Sequence, residues 1–427
     1  MTPLRIGLAA LLGVTLAAAL AALIVATRTP QRVPAVAASR PDPSVIAHGS
    51  YLARAGDCVS CHTAPGGVPY AGGYTLKTPF GAFYPPNLTS DNETGLGRWT
   101  SDDFWRALHE GKGRDGLLLY PAFPYDSYTR ITRADADALF AFLKAAPAVH
   151  AARPAPALDF PYNQRELLVG WRALYFKPGV FEPDVAHDAA WNRGAYLVDG
   201  LGHCSACHSQ RNALGASDAE NPLSGGVIPT SNWYAPPLTS NPETGLGTWS
   251  VEDIEALLKS GVSARASVYG PMAEVVRNSL QFLNDADIRA IAVYLKSEAG
   301  QGAVPKSDGP PGNELAAMMD RGAKIYDLRC KGCHLSSGAG QPPAYPPLAG
   351  NGSVTTRTAI NPIRLVLHGG FAPSTRDNPR PYGMPPFGYV LNERDVAAVV
   401  TYIRRSWGNE ASAVAPGEVE KARSIDQ

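Results

Sequence analysis

Methionine is scarce in this chain, and its placement says more than its number. There are five, Met1, Met272, Met318, Met319 and Met384, so the first half of the sequence beyond its start holds none. An excess of charge is also missing: 38 basic residues balance 38 acidic ones, which leaves no polybasic footprint for nucleic acid. No glycine fingerprint for cradling phosphate is recognisable, and no nucleophile–base–acid triad. The chain therefore offers no substrate site of its own. Cysteine is limited to six residues, and none is left over for a disulfide once their arrangement is read.

That arrangement is a motif used three times. Cys58-Val59-Ser60-Cys61-His62 returns as Cys204-Ser205-Ala206-Cys207-His208 and as Cys330-Lys331-Gly332-Cys333-His334. Two thiols at this spacing can add to the two vinyl groups of one porphyrin, and the histidine that follows becomes the proximal ligand of its iron. Three covalently attached haems c are expected, held by Cys58, Cys61, Cys204, Cys207, Cys330 and Cys333, with His62, His208 and His334 on the irons. Zinc is the competing use of such residues, but a structural site needs four ligands and each motif supplies three close ones.

At 427 residues, the chain has room for about three domains. The self-similarity extends beyond the motifs. Leu88-Thr89-Ser90-Asp91-Asn92-Glu93-Thr94-Gly95-Leu96-Gly97-Arg98-Trp99 is repeated, with few changes, from Leu238 to Trp249. Domains are read at 44–147 (domain one), 186–300 (domain two) and 314–409 (domain three), each opening on a helix before its motif and closing on an amphipathic one. Domain three lacks the long repeated segment and has Tyr345-Pro346-Pro347-Leu348 instead. A strap at 148–185, in which Leu168, Trp171, Leu174 and Tyr175 fall at helical spacing, joins domains one and two. Its alternative reading is a short amphipathic helix on a membrane or beside a quinone. Linkers are expected at 28–43 and 301–313, and a polar tail at 410–427. Residues 5–27 form an apolar run long enough to span a bilayer, read as a transmembrane anchor with a cleaved signal peptide as the alternative. Haem c attachment in bacteria then places the chain in the inner membrane with its bulk facing the periplasm.

A thioether opposite the histidine raises the potential of a haem. Met384, in Tyr382-Gly383-Met384-Pro385-Pro386, is the expected distal ligand of domain three. Met272, in Tyr269-Gly270-Pro271-Met272, is that of domain two. Met318 and Met319 read as core residues of the opening helix. In domain one Tyr120-Pro121-Ala122-Phe123 occupies the equivalent place, and Phe123 cannot coordinate iron. Haem one is left with another ligand, a water or an open position. His109 is a weak substitute, because a basic residue recurs there in the domains that have their methionine, as a helix terminus favours. An open position would also admit a different reading, a haem enzyme acting on peroxide.

With these residues in place, the chain resembles the tri-haem cytochrome c subunits of bacterial membrane-bound dehydrogenases. The resemblance is carried by Glu93-Thr94-Gly95-Leu96-Gly97, the run from Tyr120 to Tyr125, Gly270-Pro271-Met272-Ala273-Glu274-Val275-Val276 and Asn361-Pro362-Ile363-Arg364. It implies an all-α fold of three tandem cytochrome c-like domains behind the N-terminal transmembrane helix. It implies electron transfer from a catalytic subunit through the haems to ubiquinone or a further cytochrome, with the substrate chemistry left to the partner's cofactor. Phe123 and Arg380-Pro381-Tyr382-Gly383-Met384-Pro385-Pro386 resemble the subset paired with molybdopterin enzymes that oxidise aldehydes or N-heterocycles, which adds a small iron–sulfur subunit as a partner. Quinoprotein alcohol and flavin sugar dehydrogenases are the alternative partners.

Overall fold

Each domain is framed by an opening and a closing helix whose ends are written locally in the sequence. In the computed structural model, which describes residues 42–300 and 312–425, the first helix is Pro43–Ala55. Asp42 caps it by accepting from the Ser44 backbone N–H, and proline stands at its start, where no intrahelical donor is needed. The closing helix of domain one, Arg133–Ala145, is capped by Thr132. Domain two opens with Ala189–Ala195 and a π-helical turn at Tyr196–Leu201, and closes with Asp285–Ser297 under an Asn284 cap. Domain three runs from Gly312–Arg329 to Glu393–Arg405, where Asn392 and Asp395 satisfy each other's backbone donors in a capping box.

Opening and closing helices cross at a glycine in every domain. A Cβ on Gly49 would run into the Ala138 carbonyl and Phe142. Gly194 meets the Ala290 carbonyl and Tyr294, and Gly322 meets the Ala398 carbonyl and Tyr402. The missing side chain lets two backbones approach, and an aromatic one turn along the closing helix covers the gap.

Domains one and two share one apolar core, in which Leu52, Ile131, Leu139 and Leu143 pack in the same cluster as Leu197, Leu201, Ile291 and Leu295. Domain three builds its own around Tyr326, Ile363, Val396, Val399 and Val400. The segment after it forms a helix, Pro416–Ile425, whose Val419 and Ala422 join that core. The first two domains also exchange a clasp. Tyr51 of domain one donates to Asp287 of domain two at 2.6 Å, and Tyr196 of domain two donates to Asp135 of domain one at 2.5 Å. In both, the tyrosine oxygen accepts the backbone N–H of the cap residue, Asn284 or Thr132. Arg193 adds a two-pronged bond to Asp287, and His48 bonds to Asp135 at 2.8 Å.

Two expectations need correcting. The fold is not all-α. Strands β1 (Leu76–Thr78), β2 (Gly81–Phe83) and β3 (Ala157–Leu158) make a three-stranded antiparallel sheet, β4 (Gly226–Ile228) pairs with β5 (Trp233–Ala235), and β6 (Gly370–Phe371) pairs with β7 (Gly383–Met384). Strands of two or three residues are too short to show an alternating pattern, so the sequence gives no sign of them. The transmembrane helix and the inner-membrane placement with the bulk in the periplasm are not supported either. Among the described residues no helix is long and apolar enough to cross a membrane, and the apolar run at 5–27 lies outside the described residues.

Candidate haem-binding sites

The motifs sit where an opening helix breaks. In domain one the chain leaves that helix through Gly56, turns at Asp57 with φ 47°, and begins a single helical turn, Cys58–Cys61. Gly202 and His203, with φ 40°, repeat the bend before Ser205–His208. In domain three Arg329 leads directly into Cys330, and the positive φ falls after the motif, at Leu335. In each case the cysteine pair stands on one short turn with the histidine at or beside its end.

All three histidines are oriented in the same way. Nδ1 of His62 donates to the Pro86 carbonyl at 2.7 Å, that of His208 to the Pro236 carbonyl at 2.6 Å, and that of His334 to the Pro346 carbonyl at 3.1 Å. A carbonyl can only accept, so the proton lies on Nδ1 and Nε2 is left with its lone pair. Burial pushes His62 down to about 4 and lowers His208 and His334 as well, against the opposing pull of those carbonyls. The three rings are therefore neutral and fixed at neutral pH, the state a metal-ligating imidazole requires. The six cysteines form no disulfide, and burial pushes Cys58 and Cys204 up to about 12. This donor set fits haem c: paired cysteines beside an imidazole whose second nitrogen is tied to backbone.

The proline carbonyls escaped the sequence reading. The signal that would have found them is a Pro-x-Leu recurring after each motif: Pro86-Asn87-Leu88, Pro236-Pro237-Leu238 and Pro346-Pro347-Leu348. Domain three, despite lacking the long repeat, keeps this element.

Of the two methionines expected as distal ligands, Met272 falls in the first turn of the helix Pro271–Asn278 and packs on the core shared by domains one and two. The turn into that helix is made by Gly270, at φ 55°. Met384 lies on β7, paired in register with Gly370, and packs on the core of domain three. Phe123 packs on the shared core, its ring 5.2 Å from that of Tyr128. His109 is engaged elsewhere: Nδ1 donates to the Thr129 carbonyl at 2.9 Å, and the ring stacks on Trp105. Its counterpart Lys259 likewise reaches a loop carbonyl, that of Leu283. Met318 packs on the core of domain three. Among the described residues no cluster of three histidine, cysteine or acidic side chains could hold a separate metal ion.

The motifs of domains one and two lie close to each other's distal segments. Asn278, at the end of the Met272 helix, donates to Ser60 inside the first motif at 2.9 Å. Conversely, Tyr128 of domain one packs edge-on against His203, next to Cys204. The strap is fastened to both domains. Arg165 donates to the Leu118 carbonyl at 2.5 Å, and the Trp171 indole donates to the Leu214 carbonyl at 3.0 Å.

Comparison with known proteins agrees with this geometry. A family model for cytochrome c matches residues 46–147, 192–299 and 319–407. The cytochrome c subunit of a quinone alcohol dehydrogenase from Gluconobacter oxydans (strain 621H) is 39% identical over 411 residues, covering 90% of this chain and 83% of that protein. The gluconate 2-dehydrogenase cytochrome c subunit of Pantoea cypripedii is 38% identical and covers 89% of each. A nicotinate dehydrogenase subunit of Pseudomonas putida is 40% identical over 87% of this chain, which spans 31% of that longer protein. The alcohol and gluconate relatives are by name cytochrome c subunits of dehydrogenases, and this chain is likewise an electron-transfer subunit, not the catalytic enzyme. The chain belongs to the cytochrome c family, whose domain it carries in three copies.

Proposed function

We propose that the chain binds three haems c and passes electrons, received from a molybdopterin dehydrogenase subunit and its small iron–sulfur partner, through those haems to ubiquinone or a terminal cytochrome. The observation that carries the haem count is the threefold recurrence of one arrangement, a cysteine pair beside a histidine whose Nδ1 is held by a proline carbonyl. Bound at these sites, haem c supplies reversible one-electron ferric–ferrous chemistry. The residues supply the rest. Cys58, Cys61, Cys204, Cys207, Cys330 and Cys333 form the thioether anchors, and His62, His208 and His334 present Nε2. Met272 and Met384 would offer thioether sulfur to the irons of domains two and three. The buried apolar surroundings exclude water, which favours the less charged reduced state.

The molybdopterin partner rests on Phe123 in place of a distal methionine and on the run Arg380 to Pro386. The similarity to a nicotinate dehydrogenase subunit is in keeping with an N-heterocycle or aldehyde substrate for the complex. The test is to isolate the tagged chain together with its catalytic subunit, measure the metal content and add candidate substrates. Molybdenum in the complex and haem reduction by an aldehyde or N-heterocycle are expected. A complex without molybdenum that reduces its haems with an alcohol or a sugar acid would overturn this partner and favour the alcohol or sugar type.

A further inference from the structure

The distal segments of domains two and three meet at one aromatic side chain. Tyr269 stands three residues before Met272, and its ring lies against Gly370. A Cβ on Gly370 would stand 3.2 Å from Tyr269 Cδ1 and 3.3 Å from Leu365 Cδ2. Gly370 is itself the strand partner of Met384. Next to this contact, Trp233 fills the space over Gly270, where a Cβ would come within 2.6 Å of its Cε2. The same indole carries Arg364 of domain three, with Cζ 5.0 Å from the ring centroid. Asn361 of domain three grips the backbone of Tyr234 in both directions, accepting from its N–H at 2.9 Å and donating to its carbonyl at 2.7 Å. Thr375 of domain three also donates to the Ser260 carbonyl at 3.2 Å. The Tyr269 contact is thus held from several sides.

Domain one offers no such opening to domain three. Its equivalent tyrosine, Tyr120, is covered by the strap residue Arg165, 4.8 Å away, and by Phe83. Electron tunnelling falls off steeply across empty gaps and more slowly through bonded or touching atoms. Between Met272 and Met384 stand the short peptide from Met272 to Tyr269, the Tyr269 ring facing Gly370 where a Cβ would come within 3.2 Å of it, and the β6–β7 pairing.

We propose that Tyr269 is the bridge through which electrons cross between domain two and domain three. This rests on the reading of Met272 and Met384 as distal ligands. In the step, one electron leaves a ferrous iron in one domain, which becomes ferric, and reduces the ferric iron of the other. No bond forms or breaks, and Tyr269 keeps its electrons and its hydroxyl proton. It is a positioning residue and conducting contact, not a redox centre.

The test uses the full haem-loaded chain. Oxidised protein is photoreduced to less than one electron per molecule, and redistribution among the haems is followed by absorbance. Midpoint potentials and the far-red methionine–iron band are recorded alongside. Tyr269→Leu should slow one redistribution phase severalfold. Midpoints and band should stay as in the parent, and Tyr269→Phe, which keeps the ring, should retain the parent rate. Unchanged rates in Tyr269→Leu with an intact band overturn the bridge and leave the ligands standing. A parent protein without the band overturns the ligand reading, and the bridge with it. Should Tyr269→Leu fail to fold, Tyr269→Ile removes the ring in its place. The same phase must slow there, and an unchanged phase overturns the proposal.

Discussion

Phe123 takes the place in the repeat that Met272 holds in domain two, so one substitution tests what a thioether there does. Phe123→Met puts a side chain of similar bulk against Tyr128 and the shared core. The midpoint of one haem should rise and the far-red methionine–iron band should intensify. In the parent protein, the reduced haem of domain one should be the one that binds carbon monoxide. A redox titration of both proteins and a carbon monoxide difference spectrum check this; matching midpoints before and after the substitution would contradict it. At this scale the spacing of the cysteines and histidines marks them in the sequence, and the structure places each pair on one short turn beside its histidine. The carbonyls of Pro86, Pro236 and Pro346 are marked only by the Pro-x-Leu that recurs after each motif, since hydrogen bonding by a backbone oxygen does not depend on residue type. Only the structure shows that His334 shares this partner with the other two despite its closer spacing.

At the scale of elements, the three glycine crossings and the tyrosine–aspartate clasp set stability. In an ordinary helix Gly→Ala is favourable by about 1 kcal/mol. At Gly49, Gly194 and Gly322 the sign should reverse, because the methyl group meets the carbonyl of Ala138, Ala290 or Ala398. A loss of about 1–3 kcal/mol is expected for each from denaturant unfolding. Tyr51→Phe and Tyr196→Phe should each cost about 1.5 kcal/mol, since each removes a hydrogen bond to a carboxylate. Burial pushes Asp287 up, but the bonds from Arg193 and Tyr51 outweigh it and hold the carboxyl below its ordinary value. A depressed carboxyl stabilises the fold above its unfolded pKa and ceases to do so as pH falls through its folded value. Arg193→Gln should therefore destabilise by about 3 kcal/mol at neutral pH. Its gap from the parent should narrow as pH falls below about 4. A gap that stays constant in thermal melts across that range would contradict the linkage. The helices themselves could be read from their period and caps. The two-residue strand β7 that carries Met384 could not, nor could a clasp whose partners, Tyr51 and Asp287, are 236 positions apart.

For the whole molecule, domains one and two are expected to melt as one unit and domain three as another, since the first two share a core and the third has its own. Calorimetry of the haem-loaded chain should show two transitions, and Gly322→Ala should lower only one of them. Three transitions, or one, would contradict that division. The number of domains was legible from three motifs and a long internal repeat, whereas the fusion of two cores into one was not. It depends on Leu52 and Leu139 falling in one cluster with Leu197 and Ile291, residues that in sequence look like the private cores of separate domains. The most direct measurement is the intact mass of the chain produced in a host that matures c-type cytochromes, together with haem staining of a denaturing gel. A mass above the polypeptide by three haems is expected, falling by one haem for each motif whose two cysteines are replaced by alanine. A mass equal to that of the amino acids alone, with no stain on the gel, would contradict the function proposed for this chain.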